Sequence, residues 1–298
     1  MRRLLALART APVRVGLFAD VHHAERVYGD RYCSDSAAKL AACVRCLQAA
    51  TVDLLVCLGD LIDTGPNPGA EAAYVRAMAR IVAGFPGACC WVLGNHDLQA
   101  LGKAEFLRLC GAAHPAYYSF DVRGVHFVVL DGNCHADGSD FHAGDFSWDD
   151  AWVAAAQLDW LAADLAQAAG RPAVIFCHEN LDHRLWQGAP DPHLARNAAQ
   201  VRQVLAGAGN VAAVVQAHYH PGMATRQDGI PYLGLRAMVV GPGLENNAFG
   251  VLEVDPGGAV ALAGYGQQGD WTPCRGRVVC PSGHPAARAT WRASQRAG

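Results

Sequence analysis

The sequence predicts an α/β fold, and three observations support this prediction. The 298 residues are 52% hydrophobic and 17% charged, which is enough apolar material for a large core in a domain of ordinary size. Short apolar runs alternate with longer segments of helical periodicity, which is the pattern of βαβ units around a buried sheet. From His218 onward the pattern contains strands only.

The first half of the chain alternates strand and helix and then forms a hairpin. Apolar runs predict strands at 13–18, 54–58 and 89–93, and helical periodicity predicts helices at 34–50, 70–82 and 103–110. Two further runs, 117–122 and 125–130, are separated only by Arg123-Gly124. A turn dipeptide between two strand patterns predicts a hairpin.

The second half repeats this alternation before the strand-only region. Helices are predicted at 154–168 and 196–205, and strands at 173–177, 211–216, 232–240, 248–254 and 259–265. The segment 132–148 is rich in Gly, Asp and His, and it is predicted to be a surface loop near a functional site. A long loop is also predicted after residue 177, extending through Pro192.

We assign residues 13–270 to one domain, with an N-terminal lead of residues 1–12 and a basic tail of residues 271–298. The tail contains five arginines and no acidic residue, a composition typical of a flexible arm. The apolar run after Arg2 and Arg3 is too short for an export signal, and no segment approaches the ~20 apolar residues that span a bilayer. We therefore expect a soluble cytoplasmic protein without a membrane partner.

Charge and cysteine content restrict the possible partners and compartments. The formal net charge of −3 and the pI of about 6.5 provide no basic field for nucleic acid as the main partner. Eleven cysteines are scattered through predicted helices and strands, which favours a reducing compartment over a disulfide framework. Cys43 and Cys46 have CxxC spacing inside a predicted helix, and packing is the simpler explanation for them. The composition does not indicate an oligomeric state.

Five short polar segments, each at the end of a predicted strand, form the most informative pattern in the chain. Each is common by itself, but their joint occurrence in one order is specific. Because open α/β folds bind ligands at the carboxyl ends of their strands, we expect these segments to meet at one sheet edge. The segments are Asp20-Val21-His22, Gly59-Asp60, Gly94-Asn95-His96-Asp97, His178 and His218-Tyr219-His220.

The residue types in these segments suit metal binding. Side chains at positions i and i+2 share one face of a strand, so Asp20 and His22 can bind the same ion. Gly59 allows the backbone to pass close to a bulky centre, and the carboxylate of Asp60 can bridge two ions. Mixed imidazole, amide and carboxylate ligands suit Mn²⁺, Fe²⁺ or Zn²⁺.

In this order the motifs resemble those of the calcineurin-like metallophosphoesterase superfamily, over about residues 13–265. The resemblance implies a sandwich of two mixed β-sheets flanked by helices, with a dimetal site at strand ends. It implies a first metal held by Asp20, His22 and His220, a second held by Asn95, His178 and His218, and Asp60 as the bridge. His96 would be the catalytic histidine, and Asp63 would hydrogen-bond to it. Ala217 stands where the family usually has Gly.

The resemblance also implies a reaction. Two divalent ions lower the pKa of a shared water, and the resulting bridging hydroxide attacks phosphorus in line. His96 would protonate the leaving oxygen, with Asp63 fixing its tautomer. Mn²⁺ is the metal that the resemblance favours, with Fe²⁺ or Zn²⁺ as alternatives. The chain is thus expected to be a phosphodiesterase or diphosphatase that acts on a phosphate-containing small molecule.

Within the superfamily the chain is most similar to the manganese-dependent ADP-ribose/CDP-alcohol diphosphatases and their bacterial relatives. This similarity implies a substrate in which a nucleoside diphosphate is linked to a small molecule. One difference is His22, where the vertebrate diphosphatases have Gln. The matching stretches are Arg31-Tyr32, Gly59-Asp60-Leu61-Ile62-Asp63, Tyr117-Tyr118-Ser119-Phe120, Phe127-Val128-Val129-Leu130-Asp131, Gln157-Leu158-Asp159-Trp160-Leu161 and Asn246-Asn247-Ala248-Phe249-Gly250.

The expected substrate contacts lie in the loop after the first motif and in the stretch from Asn246 to Gly250. Tyr28 and Tyr32 offer rings that can stack on a base, and Arg31 offers a guanidinium for a phosphate. The resemblance to the diphosphatases implies two further substrate contacts, Asn246 and Asn247.

Two alternative functions use the same ligand set. A cyclic-nucleotide phosphodiesterase has the same type of metal centre, and a non-catalytic metal-binding scaffold has the same fold. A protein phosphatase usually has Asp-Arg-Gly after the second motif, whereas this chain has Asp63-Thr64-Gly65. The arginine that would bind phosphate in that class is therefore missing.

Overall fold

Two β-sheets pack face to face, and helices cover the outer face of each, as the sequence predicted. A computed structural model describes residues 11–142 and 144–272. Nearly all of the N-terminal lead and of the basic tail lies outside the described residues. Among the described residues, no helix is long and apolar enough to span a membrane.

The predicted elements occur in the predicted order, and the structure adds three short strands that were not predicted, Leu185–Trp186, Ala189–Pro190 and Ala224–Gln227. The strands are β1 Val13–Phe18, β2 Leu54–Cys57, β3 Cys89–Trp91, β4 Tyr118–Val122, β5 Val125–Val129, β6 Ala173–Phe176, β7 Leu185–Trp186, β8 Ala189–Pro190, β9 Val211–Gln216, β10 Ala224–Gln227, β11 Ile230–Gly234, β12 Ala248–Val254 and β13 Val260–Gly266. The α-helices are α1 Ser36–Ala49, α2 Pro68–Val82, α3 Lys103–Leu109, α4 Ala155–Gln167 and α5 Ala198–Ala208.

Both large sheets are mixed. The first has the strand order β13-β12-β1-β2-β3, and the second has the order β10-β11-β9-β6-β5-β4. In the first sheet β1 is parallel to β2 and antiparallel to β12. In the second sheet β6 is parallel to both β5 and β9. Strands with both faces covered must be apolar throughout, which explains the continuous apolar runs at these positions.

Three apolar layers stabilise the sandwich. Leu17 and Val56 of the first sheet pack with Phe176 and Val215 of the second, and all four are completely buried. A second cluster lies against α1 and α2, and a third lies against α4 and α5. The order of layers is therefore helix, sheet, sheet, helix.

Local sequence signals explain where several helices begin and end. Asn67 caps α2 by accepting a hydrogen bond from the backbone N–H of Ala70 at 3.0 Å, and Pro68 occupies the first turn. Helix α5 ends at Gly209, whose φ of 72° is the left-handed conformation typical of a helix C-terminus.

The predicted strand 232–240 is in fact shorter. Strand β11 ends at Gly234, and the chain then passes beside the loop that follows β1. There Met238 and Val239 donate backbone hydrogen bonds to Ala19 and Asp20, at 3.1 and 3.0 Å. The apolar sequence of this segment therefore reflects its burial rather than a longer strand.

Lys39 of α1 fixes this segment in place. The side chain is completely buried, and its Nζ donates hydrogen bonds to the carbonyl oxygens of Met238, Val240 and Gly241 at 3.0, 3.2 and 2.6 Å. Burial lowers the pKa of Lys39 to about 8. Since the segment pairs with the backbone of Asp20, a buried lysine supports one side of the site described below.

We expect Lys39→Met to lower the free energy of unfolding by about 2–4 kcal/mol, because three buried carbonyls lose their donor. The control is Arg45→Met on the exposed side of the same helix. This variant should change the free energy of unfolding by about 0.5 kcal/mol or less. Urea unfolding followed by circular dichroism measures both. Equal stability of the two variants would show that Lys39 does not anchor the segment.

Candidate metal centre

The polar segments identified in the sequence meet where the ends of the two sheets adjoin. Asp20, Asp60 and Asn95 follow β1, β2 and β3 of the first sheet, whereas His178 and His218 follow β6 and β9 of the second. The expectation of a single sheet edge is therefore wrong. Each sheet contributes part of the site, and the contact between the sheets brings these parts together.

Four of the expected metal ligands have left-handed backbone conformations. The φ angles of Asp20, His22, Asp60 and His218 are 51°, 45°, 52° and 65°. This conformation is uncommon for residues other than glycine, and it occurs most often at functional sites. Because these residues lie beyond the strand ends, the alternation of side chains along a strand does not determine where they point. The left-handed turns direct them toward one another instead.

Backbone hydrogen bonds join the loops that carry these ligands. Asp20 donates its N–H to Gly59 at 3.1 Å, and His22 donates to Asp60 at 2.9 Å. Two glycines allow this close approach. A Cβ on Gly59 would lie 2.6 Å from Nδ1 of His178, and one on Gly94 would collide with Asp60.

Asp97 secures the second and third loops. Its buried carboxylate accepts hydrogen bonds from the backbone N–H groups of Asp60, Leu61 and Gly94 at 3.0, 2.8 and 3.0 Å. Asp97 belongs to the third motif, but no role was predicted for it. Its position after Asn-His is the signal that could have identified it.

The expected first-metal ligands form a compact group. The candidate ligand atoms of Asp20, His22 and His220 all lie within 4.8 Å of one another. The Nε2 atoms of His22 and His220 are 3.2 Å apart, and Nε2 of His220 is 3.8 Å from Oδ1 of Asp20. This arrangement provides two imidazole nitrogens and a carboxylate around one point.

A second group adjoins the first through Asp60. The candidate ligand atoms of Asp60, His178 and His218 also lie within 4.8 Å of one another. Oδ2 of Asp60 is 3.3 Å from Nε2 of His178 and 3.4 Å from Nε2 of His22. Asp60 thus lies between the two groups, as a bridging ligand would.

Buried polar atoms without partners indicate that this site fits cations. Within the described residues, neither carboxylate oxygen of Asp20, neither amide atom of Asn95, nor Nε2 of His178 has a hydrogen-bond partner. Buried polar atoms normally have one, because leaving them unpaired is costly. All three residues belong to the expected ligand set, and a bound cation would satisfy the oxygen and nitrogen acceptors.

Two of the histidines are oriented by backbone carbonyls. Nδ1 of His178 is 2.7 Å from the carbonyl oxygen of Leu58, and Nε2 of His218 is 2.9 Å from that of Trp148. Each ring can donate a hydrogen bond from that nitrogen and present the other as a ligand. Such bonds to the second ring nitrogen are usual for histidines that bind metals.

The charges within the site perturb one another. Burial raises the pKa of Asp20 to about 6, although the charge of His178 opposes this shift. Burial would also raise the pKa of Asp60, but His178, His96 and His22 outweigh it and hold that pKa well below its usual range. Asp60 therefore remains ionised.

His96 and Asp63 form a separate part of the site. Nδ1 of His96 is 3.6 Å from Oδ1 of Asp63, which is too long for the expected hydrogen bond, and this nitrogen has no partner among the described residues. Nδ1 of His22 is 3.4 Å from Oδ2 of the same carboxylate. Arg26 and Arg31 also form ion pairs with Asp63. Burial would raise the pKa of Asp63, but the hydrogen bond and charge of His22 outweigh it and lower that pKa strongly.

A cavity of about 450 Å³ opens above these groups. Asp60 and His96 contribute to its lining, so a ligand in the cavity would reach both the carboxylate between the two groups and the expected proton donor. The outer walls include Arg31, Phe146, Trp148, His193 and Tyr219. Of these, only Arg31 was predicted as a substrate contact. The loop 132–148, predicted to lie near the site, supplies Phe146 and Trp148.

The other residues expected to contact substrate lie outside this cavity lining. Tyr28 is 62% exposed, with the Arg31 guanidinium 5.3 Å from its ring centroid, and Tyr32 donates its backbone N–H to Val239. Asn246 donates a side-chain hydrogen bond to Pro242. Asn247 is completely buried and donates to the carbonyl oxygen of Lys39 at 2.8 Å, so its side chain belongs to the packing around α1.

Comparison with known proteins identifies the family. Residues 13–222 match the calcineurin-like phosphoesterase family, and the chain belongs to this family. This confirms the superfamily that the motifs resembled.

Among curated proteins, the chain is 31% identical over 175 residues to the 3',5'-cyclic adenosine monophosphate phosphodiesterase CpdA of Escherichia coli (strain K12). That alignment covers 56% of this chain and 54% of the relative. A cAMP/cGMP dual specificity phosphodiesterase of Mycobacterium tuberculosis is 29% identical over 182 residues, which cover 60% of this chain and 52% of the relative. The chain thus spans about half the length of the curated relatives it matches.

Solved structures share the fold. A dimetal phosphatase from Danio rerio superposes with a TM-score of 0.74 at 22% identity, covering 88% of this chain and 98% of that one. A purple acid phosphatase from yellow lupin has a TM-score of 0.58 at 13% identity, covering 91% of this chain and 53% of that one. At these identities the likeness concerns the fold alone.

We expect Gly94→Ala to reduce Mn²⁺ affinity by about 10- to 100-fold, because the added methyl group would displace Asp60. The matched control is Gly207→Ala in α5, where a Cβ meets no atom within 4 Å. Isothermal titration of the apoprotein with Mn²⁺ measures both affinities. If Gly94→Ala binds Mn²⁺ as tightly as the control does, Asp60 is not a ligand.

Proposed function

We propose that the protein is a dimetal-dependent hydrolase that cleaves phosphoester or phosphoanhydride bonds in small molecules containing a nucleotide. One observation carries the proposal. Two groups of ligand-type atoms, each within 4.8 Å, meet at Asp60 beneath an open cavity, and several of their buried atoms have no hydrogen-bond partner in the described chain.

Different residues of the chain would bind each of the two cations. Asp20, His22 and His220 would hold one ion, Asn95, His178 and His218 would hold the other, and Asp60 would contact both. When bound, two divalent cations lower the pKa of a shared water and neutralise charge on the phosphate. Mn²⁺ is the proposed metal, and Fe²⁺ or Zn²⁺ suit the same ligands.

His96 is the proposed proton donor for the leaving oxygen. Its ring lines the cavity, and the Asp63 carboxylate lies 3.6 Å away on the Nδ1 side, so we assign the transferred proton to Nε2. Burial lowers the pKa of His96 to about 4. A bound phosphate anion opposes this shift, because it stabilises the charged ring. Protonation of His96 is therefore coupled to substrate binding in this proposal.

Two substrate classes follow from different observations. The resemblance in the stretches described above favours ADP-ribose or a CDP-alcohol. The names of the curated relatives favour a cyclic nucleotide instead. Both classes contain a nucleoside and a phosphate that the cavity can bring to the cations.

An enzyme fits the site better than a non-catalytic metal-binding scaffold. A scaffold needs its ligands only to hold ions, and it has no use for a histidine that faces an open cavity beside an ionised carboxylate. Here His96 occupies that position, with Asp63 behind it.

The substrate is tested by incubating Mn²⁺-loaded protein with equal amounts of ADP-ribose, CDP-choline and cyclic AMP, followed by product chromatography. AMP with ribose phosphate, or CMP with phosphocholine, would establish a diphosphatase. Loss of the cyclic nucleotide to AMP would establish the phosphodiesterase. If none of the three reacts, both proposed substrate classes are wrong.

We expect His96→Ala to lower kcat by about 10²- to 10⁴-fold on a nucleotide substrate that the wild type hydrolyses, because the leaving oxygen then departs without a proton. Bis(4-nitrophenyl) phosphate should be affected much less, because 4-nitrophenolate leaves readily as an anion. Metal content should not change. The control is His183→Ala, whose ring is exposed and outside the cavity.

Equal losses on both substrates would contradict the role of His96 in proton donation. A loss of bound metal would instead identify His96 as part of the metal-binding structure.

A further inference from the structure

One wall of the cavity is aromatic, and neither the proposed metal binding nor the proposed proton transfer uses its rings. Trp148, His193 and Tyr219 form this aromatic wall. The ring centroids of Trp148 and His193 are 5.4 Å apart, and those of His193 and Tyr219 are 5.2 Å apart. His193 is also 5.2 Å from the ring of His218, so the wall begins beside a proposed metal ligand.

Buried charges hold the His193 part of the wall rigid. Nδ1 of His193 is 2.7 Å from Oδ1 of Asp191, and the backbone N–H of His193 donates to the same oxygen at 3.0 Å. Asp191 is only 4% exposed. The ring of His193 is therefore fixed before any ligand arrives, which lowers the entropic cost of binding.

Tyr219 is supported in a similar way. The guanidinium of Arg184 lies 4.3 Å from the centroid of the Tyr219 ring, a cation–π distance. Arg184 is buried and forms ion pairs with Asp182 at 3.4 Å and Asp191 at 3.8 Å. The same buried network thus supports both Tyr219 and His193.

Trp148 has a fixed backbone and an open ring. Its carbonyl oxygen lies 2.9 Å from Nε2 of His218, while the residue is 46% exposed. A large apolar ring held open to water at the edge of a cavity is typical of a binding surface. The cavity lining also contains two charged residues, Arg31 and Asp30.

We propose that this aromatic wall binds the nucleobase of a nucleotide whose phosphate lies at the metal centre, with Trp148 as the main stacking surface. The inference rests on the proposed function, and it adds a reason why the substrate contains a base. Stacking accepts any base, since every base has a π face. The wall therefore selects nucleotides over phosphate esters that lack a ring, and it does not select one base.

Isothermal titration of Mn²⁺-loaded protein with AMP and with ribose 5-phosphate tests this proposal. The two ligands have the same phosphate and differ by the adenine. The wild type should bind AMP about 5- to 100-fold more tightly than it binds ribose 5-phosphate. Trp148→Ala should abolish most of this preference and leave the affinity for ribose 5-phosphate unchanged. Trp148→Phe should restore much of it, because phenylalanine keeps an aromatic face.

The control is Trp186→Ala, because Trp186 is 52% exposed in the β7–β8 hairpin and does not line the cavity. This variant should keep the wild-type preference. Equal binding of AMP and ribose 5-phosphate to the wild type would overturn the proposal. So would an equal loss of both affinities in Trp148→Ala, or binding of neither ligand by the wild type.

Binding and turnover fail independently in this design. A preference for AMP that depends on Trp148, in a protein that hydrolyses no nucleotide, would support base binding by the aromatic wall and refute the proposed hydrolase. If the protein hydrolyses nucleotides but binds AMP no more tightly than ribose 5-phosphate, the proposed hydrolase is supported and base binding by the aromatic wall is refuted.

Discussion

The burial of Asp20 and Asp60 where the two sheets adjoin is the constraint on which the rest of the site depends. Asp20 has no hydrogen-bond partner for its carboxylate among the described residues, and Asp60 lies between two groups of imidazoles. Carboxylates buried in this way are costly unless cations compensate them. Several other features serve to keep these residues in place. Backbone hydrogen bonds join the ligand loops, Asp97 secures the loops after β2 and β3, and Lys39 anchors the segment beside Asp20.

Much of the fold could be predicted, because apolar runs bounded by polar residues determine where buried strands lie. The bounds of β1, β9 and β12 agree with the prediction at both ends. The hairpin of β7 and β8 was not predicted, since strands of two residues leave no pattern. The convergence of the ligand residues was predicted from their positions at strand ends, but that reason is incomplete. Their convergence comes from left-handed turns and from the contact between two sheets, and neither is visible as periodicity.

The cavity walls were harder to predict than the metal centre. Metal ligands are recognised by residue type and by position after a strand, whereas Trp148 and His193 come from loops with no regular pattern. Asn247 shows the opposite error. It belongs to a stretch that resembles a family with known chemistry, yet its side chain is buried against α1. Tertiary packing decides whether a residue lines the cavity or supports the cavity from behind. This packing cannot be seen in the sequence.

In the proposed metal centre, one chain binds two cations that share Asp60. Electron paramagnetic resonance of the protein titrated with Mn²⁺ tests this most directly, because a shared ligand couples the two electron spins. We expect two Mn²⁺ per chain and the spectrum of a spin-coupled pair at saturation. Saturation with the six-line spectrum of isolated Mn²⁺, at one ion per chain or at two, would contradict it.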